Sequence, residues 1–195
     1  MQKNTLIVGI FILVVGIGIG YGVRGNGYTR FSGGHMMQNG SMMSQNIDEH
    51  FITQMIPHHE GAIEMAKIAL ERSKRPEVIS LANGIIEAQE RENTQMRSWY
   101  QSWFGKAPST NGMGMMHMGG MEGDVSRLTT VSVTDFDKEF LTQMIPHHEM
   151  AIMMAQMLQA STEREEMKQL ADQIITSQAK EIDLMRSWLK SWYGI

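Results

Sequence analysis

The sequence predicts an all-α fold, a four-helix bundle built from two duplicated helical hairpins. Three observations predict it. The stretch "TQMIPHHE" at Thr53 to Glu60 returns letter for letter at Thr142 to Glu149. The repetition extends without a gap over Asp48 to Gly105 and Asp137 to Gly194, with about half the positions identical. Within each copy the apolar residues recur at helical spacing, and a short break separates two such runs.

The first run of repeat one carries Phe51, Met55, His58, Ala62, Met65 and Ala69 at steps of three or four, with Ile52, Ile56, His59, Ile63, Ala66 and Leu70 as the adjacent row. This is the apolar stripe of an amphipathic helix. "RSKRP" at Arg72 to Pro76 interrupts it, and Pro76 suits the first turn of the next helix. The second run carries Val78, Leu81, Ile85, Ile86, Met96, Trp99 and Trp103, and Gly105 is a natural stop. So short a connection predicts an antiparallel hairpin. One hairpin leaves a long apolar face, and two can cover each other. Pro57 and Pro146 fall inside the pattern, yet the stripe stays in phase, which predicts a kinked helix or a short lead-in helix.

Outside the repeats, "TLIVGIFILVVGIGIGYGV" at Thr5 to Val23 has no charge and is long enough to span a bilayer. No convincing A-x-A site follows it, which favours an uncleaved anchor over a removed signal peptide. Either way the rest of the chain is exported, to the periplasm or the outer face of the membrane. The expected organisation is an anchor or signal segment over 1–24, a Gly- and Met-rich linker over 25–47, hairpin one over 48–105, a Met-rich linker over 106–136 and hairpin two over 137–195.

The chain has 195 residues, a net charge of -4 and no basic stripe, so nucleic acid is not an expected partner. Cysteine is absent, while methionine reaches 20 residues. Thioethers select soft ions such as Cu(I), need no deprotonation and cannot be lost to disulfides in an oxidising compartment. Methionine also fills gaps in cores, so placement decides.

Two segments are Met-rich without any apolar period that could build a core. They are "HMMQNGSMM" (His35, Met36, Met37, Met42, Met43) and "MGMMHMGGM" (Met113, Met115, Met116, His117, Met118, Met121). Several thioethers and one imidazole in so short a stretch can wrap a soft cation, and this is the firmest metal signal in the sequence.

The second signal lies in the hairpins. His58 and His59, with His147 and His148, occupy the apolar stripe, where a buried imidazole needs a hydrogen-bond partner or a metal. Folding the hairpin about residue 74 brings their level opposite Gln89. Glu92 lies one turn further along, nearly opposite Met55. Gln178 and Glu181 repeat the pattern. Each hairpin is thus expected to carry two His, a Gln and two carboxylates, Glu60 and Glu92 in repeat one, with Met alongside. Two readings stand: a polar network that fixes helix register, and metal ligation with the carboxylate or Gln orienting the imidazole. Met150, Met153, Met154 and Met157 add thioethers in repeat two, where core filling is the stronger expectation.

"MIPHHEGAIEMA" and "MIPHHEMAIMMA" are similar to the P-H-H-x-x-A-I-x-M-A signature of a family described as a domain of unknown function. The tandem repeat, the hydrophobic N-terminal segment and the Met-rich linker resemble its exported copper-binding members most. The resemblance implies a ferritin-like bundle and a periplasmic or secreted protein that binds copper in copper resistance. It carries the family's His pair onto His58, His59, His147 and His148, and its Met onto Met55, Met65, Met144 and Met154. Met150 replaces Gly61 and Met153 replaces Glu64, so the two sites need not be equivalent.

The expected function is therefore non-enzymatic capture of Cu(I), and of Ag(I) by the same softness. The cargo would pass to a membrane copper exporter or another carrier, with the N-terminal segment, if uncleaved, as a membrane tether. Two alternatives remain. One is a ferritin-like di-iron oxidase using Glu60, Glu92, Glu149 and Glu181, although the E-x-x-H pattern is missing. The other is a helical interaction module whose Met and His are structural.

Overall fold

The computed structural model describes residues 37–109 and 121–195, with side chains over 47–109 and 125–195. Helix α1 (Met37–Arg72) and α2 (Pro76–Phe104) form the first hairpin, and α4 (Phe136–Ser161) and α5 (Glu165–Tyr193) form the second. A short helix, α3 (Met121–Thr130), lies in the segment between them. The anchor over 1–24 lies outside the described residues. No described helix is long and apolar enough to cross a membrane.

Two boundaries differ from the sequence reading. Helix α1 begins at Met37, inside the segment read as a linker over 25–47. Despite the weak helix formers Asn39, Gly40 and Asn46, the stretch adds turns to a helix that tertiary packing further along already holds. Helix α3 occupies part of the linker over 106–136, because Val125 and Leu128, one turn apart, give it an apolar edge that packs on the core. Both α1 and α4 run unbroken through Pro57 and Pro146, so there is no separate lead-in helix.

The turns close as their residues dictate. Pro76 opens α2, and Gly105 and Gly194 end α2 and α5 with φ of 69° and 74°, the left-handed caps that glycine adopts at no steric cost. In each hairpin loop a hydroxyl accepts from the backbone two residues on, Ser73 from Arg75 N–H and Thr162 from Arg164 N–H.

Helix α1 packs on α2, α4 packs on α5, and the hairpins meet through α1 against α4. The core divides into two apolar clusters. One joins the loop end of hairpin one (Ala62, Met65, Val78, Ile85) to the open end of hairpin two (Phe136, Phe140, Met144, Met185). The other joins the open end of hairpin one (Phe51, Met55, Met96, Tyr100) to the loop end of hairpin two (Ala155, Leu158, Met167, Ile174). The hairpins are therefore antiparallel, and the repeat relates one cluster to the other. Burying each large apolar side chain contributes roughly 1.5–3 kcal/mol, whereas exposed ion pairs contribute about 0–1 kcal/mol, so the clusters hold the bundle.

Polar clasps set how the hairpins register. Asp48, fully buried at the start of repeat one, accepts from Thr162 Oγ1 at 2.6 Å and pairs with Arg164 Nε at 3.1 Å. The guanidinium of Arg164 also lies 4.0 Å above Trp103. The repeat reproduces this at the other end, where Arg75 pairs with Asp137 at 3.2 Å and covers Trp192 at 4.3 Å. Each loop arginine thus grips the opposite hairpin.

Candidate metal centre

Between the two clusters lies a polar layer. It forms because Met55–His58 and Met144–His147 place the first imidazole of each pair where α1 crosses α4. The rings of His58 and His147 stand 3.8 Å apart, centroid to centroid, tilted by 46°. His59 and His148 turn about one helical step away, toward their own hairpin partners, with ring centroids 6.5 Å and 6.3 Å from their neighbours. All four imidazoles are buried.

The outer pair is anchored. His59 Nε2–H donates to Glu92 Oε2 at 2.8 Å, and His148 Nε2–H donates to Glu181 Oε2 at 2.6 Å. Neither Nδ1 has a protein partner, and in a neutral ring held this way Nδ1 carries the lone pair. A carboxylate behind the far nitrogen is what orients a metal-binding imidazole and raises its basicity.

The inner pair has no carboxylate behind it. Both nitrogens of His58 and both of His147 are buried without a protein hydrogen bond, as are Gln89 Oε1 and Gln178 Oε1. Each such group costs about 1–3 kcal/mol. Burial, and then repulsion from the neighbouring imidazoles, pushes His58 well below the ordinary histidine range and His147 down to about 3. Both are therefore neutral near pH 7, with lone pairs available to a cation. A polar network that fixes register accounts for His59 and His148 but leaves His58 and His147 unexplained.

Thioethers border the layer on both sides. Met55 and Met144 sit one turn before His58 and His147 and are wholly buried. Met55 shares its cluster with Met154, which packs against the edge, and Met144 shares the other with Met65. Met65 and Met154 lie seven residues beyond the first His of their own helix, about 10 Å of rise, too far to share one ion with it along that helix. Met150 is half-buried, one turn past His147.

Two carboxylates expected in the layer are not there. Glu60 and Glu149 turn outward and pair with Arg97 and Arg186 at 2.6 Å and 2.5 Å. The two residues follow the second His on the solvent side of the helix, where an arginine of the neighbouring helix reaches them. The four-carboxylate hard site therefore does not assemble. Among the described residues no three His, Asp or Glu side chains converge as a ready cage. Spread-out imidazole nitrogens with thioethers nearby suit a soft ion that accepts few ligands better than an ion demanding a full tetrahedral or octahedral set.

Sequence reasoning missed two polar side chains beside the layer, Asn93 and Gln143, each buried with an unpartnered oxygen. Their signal was a polar residue within an apolar period. Of the linker residues, His35, Met36, Met113, Met115, Met116, His117 and Met118 lie outside the described residues. Met37, Met42 and Met43 are on the first turns of α1, and Met121 opens α3.

The fold and the layer together define a duplicated-hairpin four-helix bundle with imidazoles at its waist. The chain belongs to the family described as domain of unknown function DUF305, whose model matches residues 48–189. It is similar to the structure titled CopM in the Cu(I)-bound form, with 45% identity over 75% of this chain and 97% of that one, and a TM-score of 0.66. CopM in the Cu(II)-bound form gives 48% identity, the same coverages and a TM-score of 0.69. CopM has also been solved in Ag-bound forms. A DUF305 fragment from Deinococcus radiodurans matches with 31% identity over 74% of this chain and 96% of that one, at a TM-score of 0.68. Among curated proteins, the uncharacterized protein L153 of Acanthamoeba polyphaga mimivirus is 49% identical over 27% of this chain, and the match spans only 35% of that protein.

Proposed function

We propose that this protein is a non-enzymatic binder of Cu(I), and of Ag(I), that works outside the cytoplasm in copper sequestration, trafficking and resistance. One observation carries the reading: six buried imidazole nitrogens without protein partners lie at one level of the bundle. Glu92 and Glu181 stand behind two of these rings, and buried thioethers flank them. The similarity to CopM, a protein solved with copper and with silver, supports the same choice of ion. The apolar N-terminal run and the lack of cysteine support an exported location.

Neutral ligands bind without releasing protons, so capture at the waist works at neutral pH. The linker thioethers, on segments with no core to build, are a second tier suited to rapid exchange and to hand-over to an exporter or carrier. The test is a Cu(I) titration of the full chain against a competing chelator, with X-ray absorption to count S and N ligands. Replacing His58, His59, His147 and His148 together removes the N-ligated class, and replacing the linker Met by Leu lowers stoichiometry with helicity intact. Binding no tighter than micromolar by the unaltered chain sinks the proposal.

A further inference from the structure

The second repeat departs from the first along one edge of its leading helix. Gly61, Glu64 and Ile68 of α1 correspond to Met150, Met153 and Met157 of α4. Met153 is 53% exposed and Met157 59% exposed, and Met150 is half-buried. Core filling therefore does not account for them. An exposed thioether gains little from burial and is open to oxidation.

Their spacing has a direction. His147, Met150, Met153 and Met157 follow at steps of three, three and four along α4, so each lies beside the next on the helix surface. Side chains at these spacings have Cβ atoms about 5–6 Å apart, so each neighbouring pair of flexible thioethers can share one ion and pass it to the next pair. Helical side chains slant toward the N-terminus of their helix. That slant would set Met157 over the turn of Met153, Met153 over that of Met150, and Met150 over that of His147. The His147 residue keeps 7% of its surface exposed, against 1% for His58, although both ring nitrogens of each are buried.

From this we propose that the outer edge of α4, formed by Met150, Met153 and Met157, binds a soft monovalent cation, Cu(I) or Ag(I), and loads it onto His147. The inference rests on the soft-metal reading of the waist. It adds an entry that only the second repeat has. No redox step is involved, because the ion moves by exchange of neutral ligands.

The experiment uses the full chain in detergent, labelled with ¹³C at the Met methyls and the His rings, and Ag(I), which is diamagnetic. Met150→Leu, Met153→Leu and Met157→Leu assign the signals. The methyls of the three residues are expected to shift at substoichiometric Ag(I). In the M153L/M157L double variant, both positions being exposed, the His147 ring signal is expected to respond about tenfold more slowly, with an unchanged melting temperature. If the imidazole signals shift while these three methyls stay fixed, the loading edge is refuted and the waist stands. An unchanged loading rate in the double variant also overturns it. If no imidazole or methyl signal responds, the metal reading of the protein falls with it.

Discussion

His58 of α1 and His147 of α4 stack with ring centroids 3.8 Å apart at the crossing of the two repeats, and none of their four ring nitrogens has a protein partner. These are equivalent residues of the two copies, so the repeat meets itself at its own histidine. If the pair serves stability, removing it loosens the bundle. If it serves a cargo ion, removing it relieves an unmet cost.

The first prediction separates these. His58→Leu with His147→Leu keeps apolar volume at the crossing and deletes four unpartnered polar atoms. The metal-free variant is expected to gain about 1–2 kcal/mol in urea denaturation, since apolar replacement of unsatisfied groups is neutral to stabilising. It is also expected to lose the tightest N-ligated Cu(I). A loss of stability points instead to a structural network.

Acid should act through the same pair. In the unfolded chain His147 protonates near 6.5, and in the folded protein only near about 3. The unfolded state therefore binds the extra proton between these values. Stability is whole above pH 6.5 and falls as pH drops through this window, by up to about 1.4 kcal/mol per pH unit for each such group. His58 shifts in the same direction. Urea midpoints of the metal-free protein across pH 7 to 4 measure the slope, which the double Leu variant is expected to flatten.

Glu92→Gln and Glu181→Gln test the carboxylates behind His59 and His148. An amide keeps the shape but holds the ring nitrogen more weakly. Cu(I) affinity is expected to fall about 10- to 100-fold in chelator competition, with circular dichroism unchanged. An undiminished affinity places the outer pair outside the metal site.

The clasps should be unequal. Asp48 is fully buried, and burial raises its pKa against the pull of Thr162 and Arg164. Arg164→Ala strands that carboxylate and uncovers Trp103, so a loss of about 3 kcal/mol is expected. Asp137 keeps 15% of its side chain exposed where Asp48 keeps none, so Arg75→Ala is expected to cost less, about 1–2 kcal/mol. Chemical denaturation of the two variants decides the order.

The duplicated sequence already contains much of this. Its apolar period marks the hairpins, Pro76 and Gly105 mark helix ends, and folding each copy on itself puts His59 near Glu92. These relations are local or within one hairpin, where helix geometry leaves little choice. The same reasoning placed Glu60 in the polar cluster, because spacing alone does not show that Arg97 would draw it outward. It also favoured core filling for Met153 and Met157, since helical spacing reveals a shared face but not whether a partner covers that face.

An all-helical, twice-repeated hairpin with imidazoles and carboxylates at one level, and a supply of soft ligands without a single thiol, is written in the chain itself. That His58 meets His147, that the core splits into two clusters around them, and that the α4 edge faces outward emerge only when the hairpins pack. The difference is one of range. The helical period fixes which residues share a side of one helix, whereas the register of one hairpin against the other is set by burial summed over the whole interface and by the clasps at its two ends.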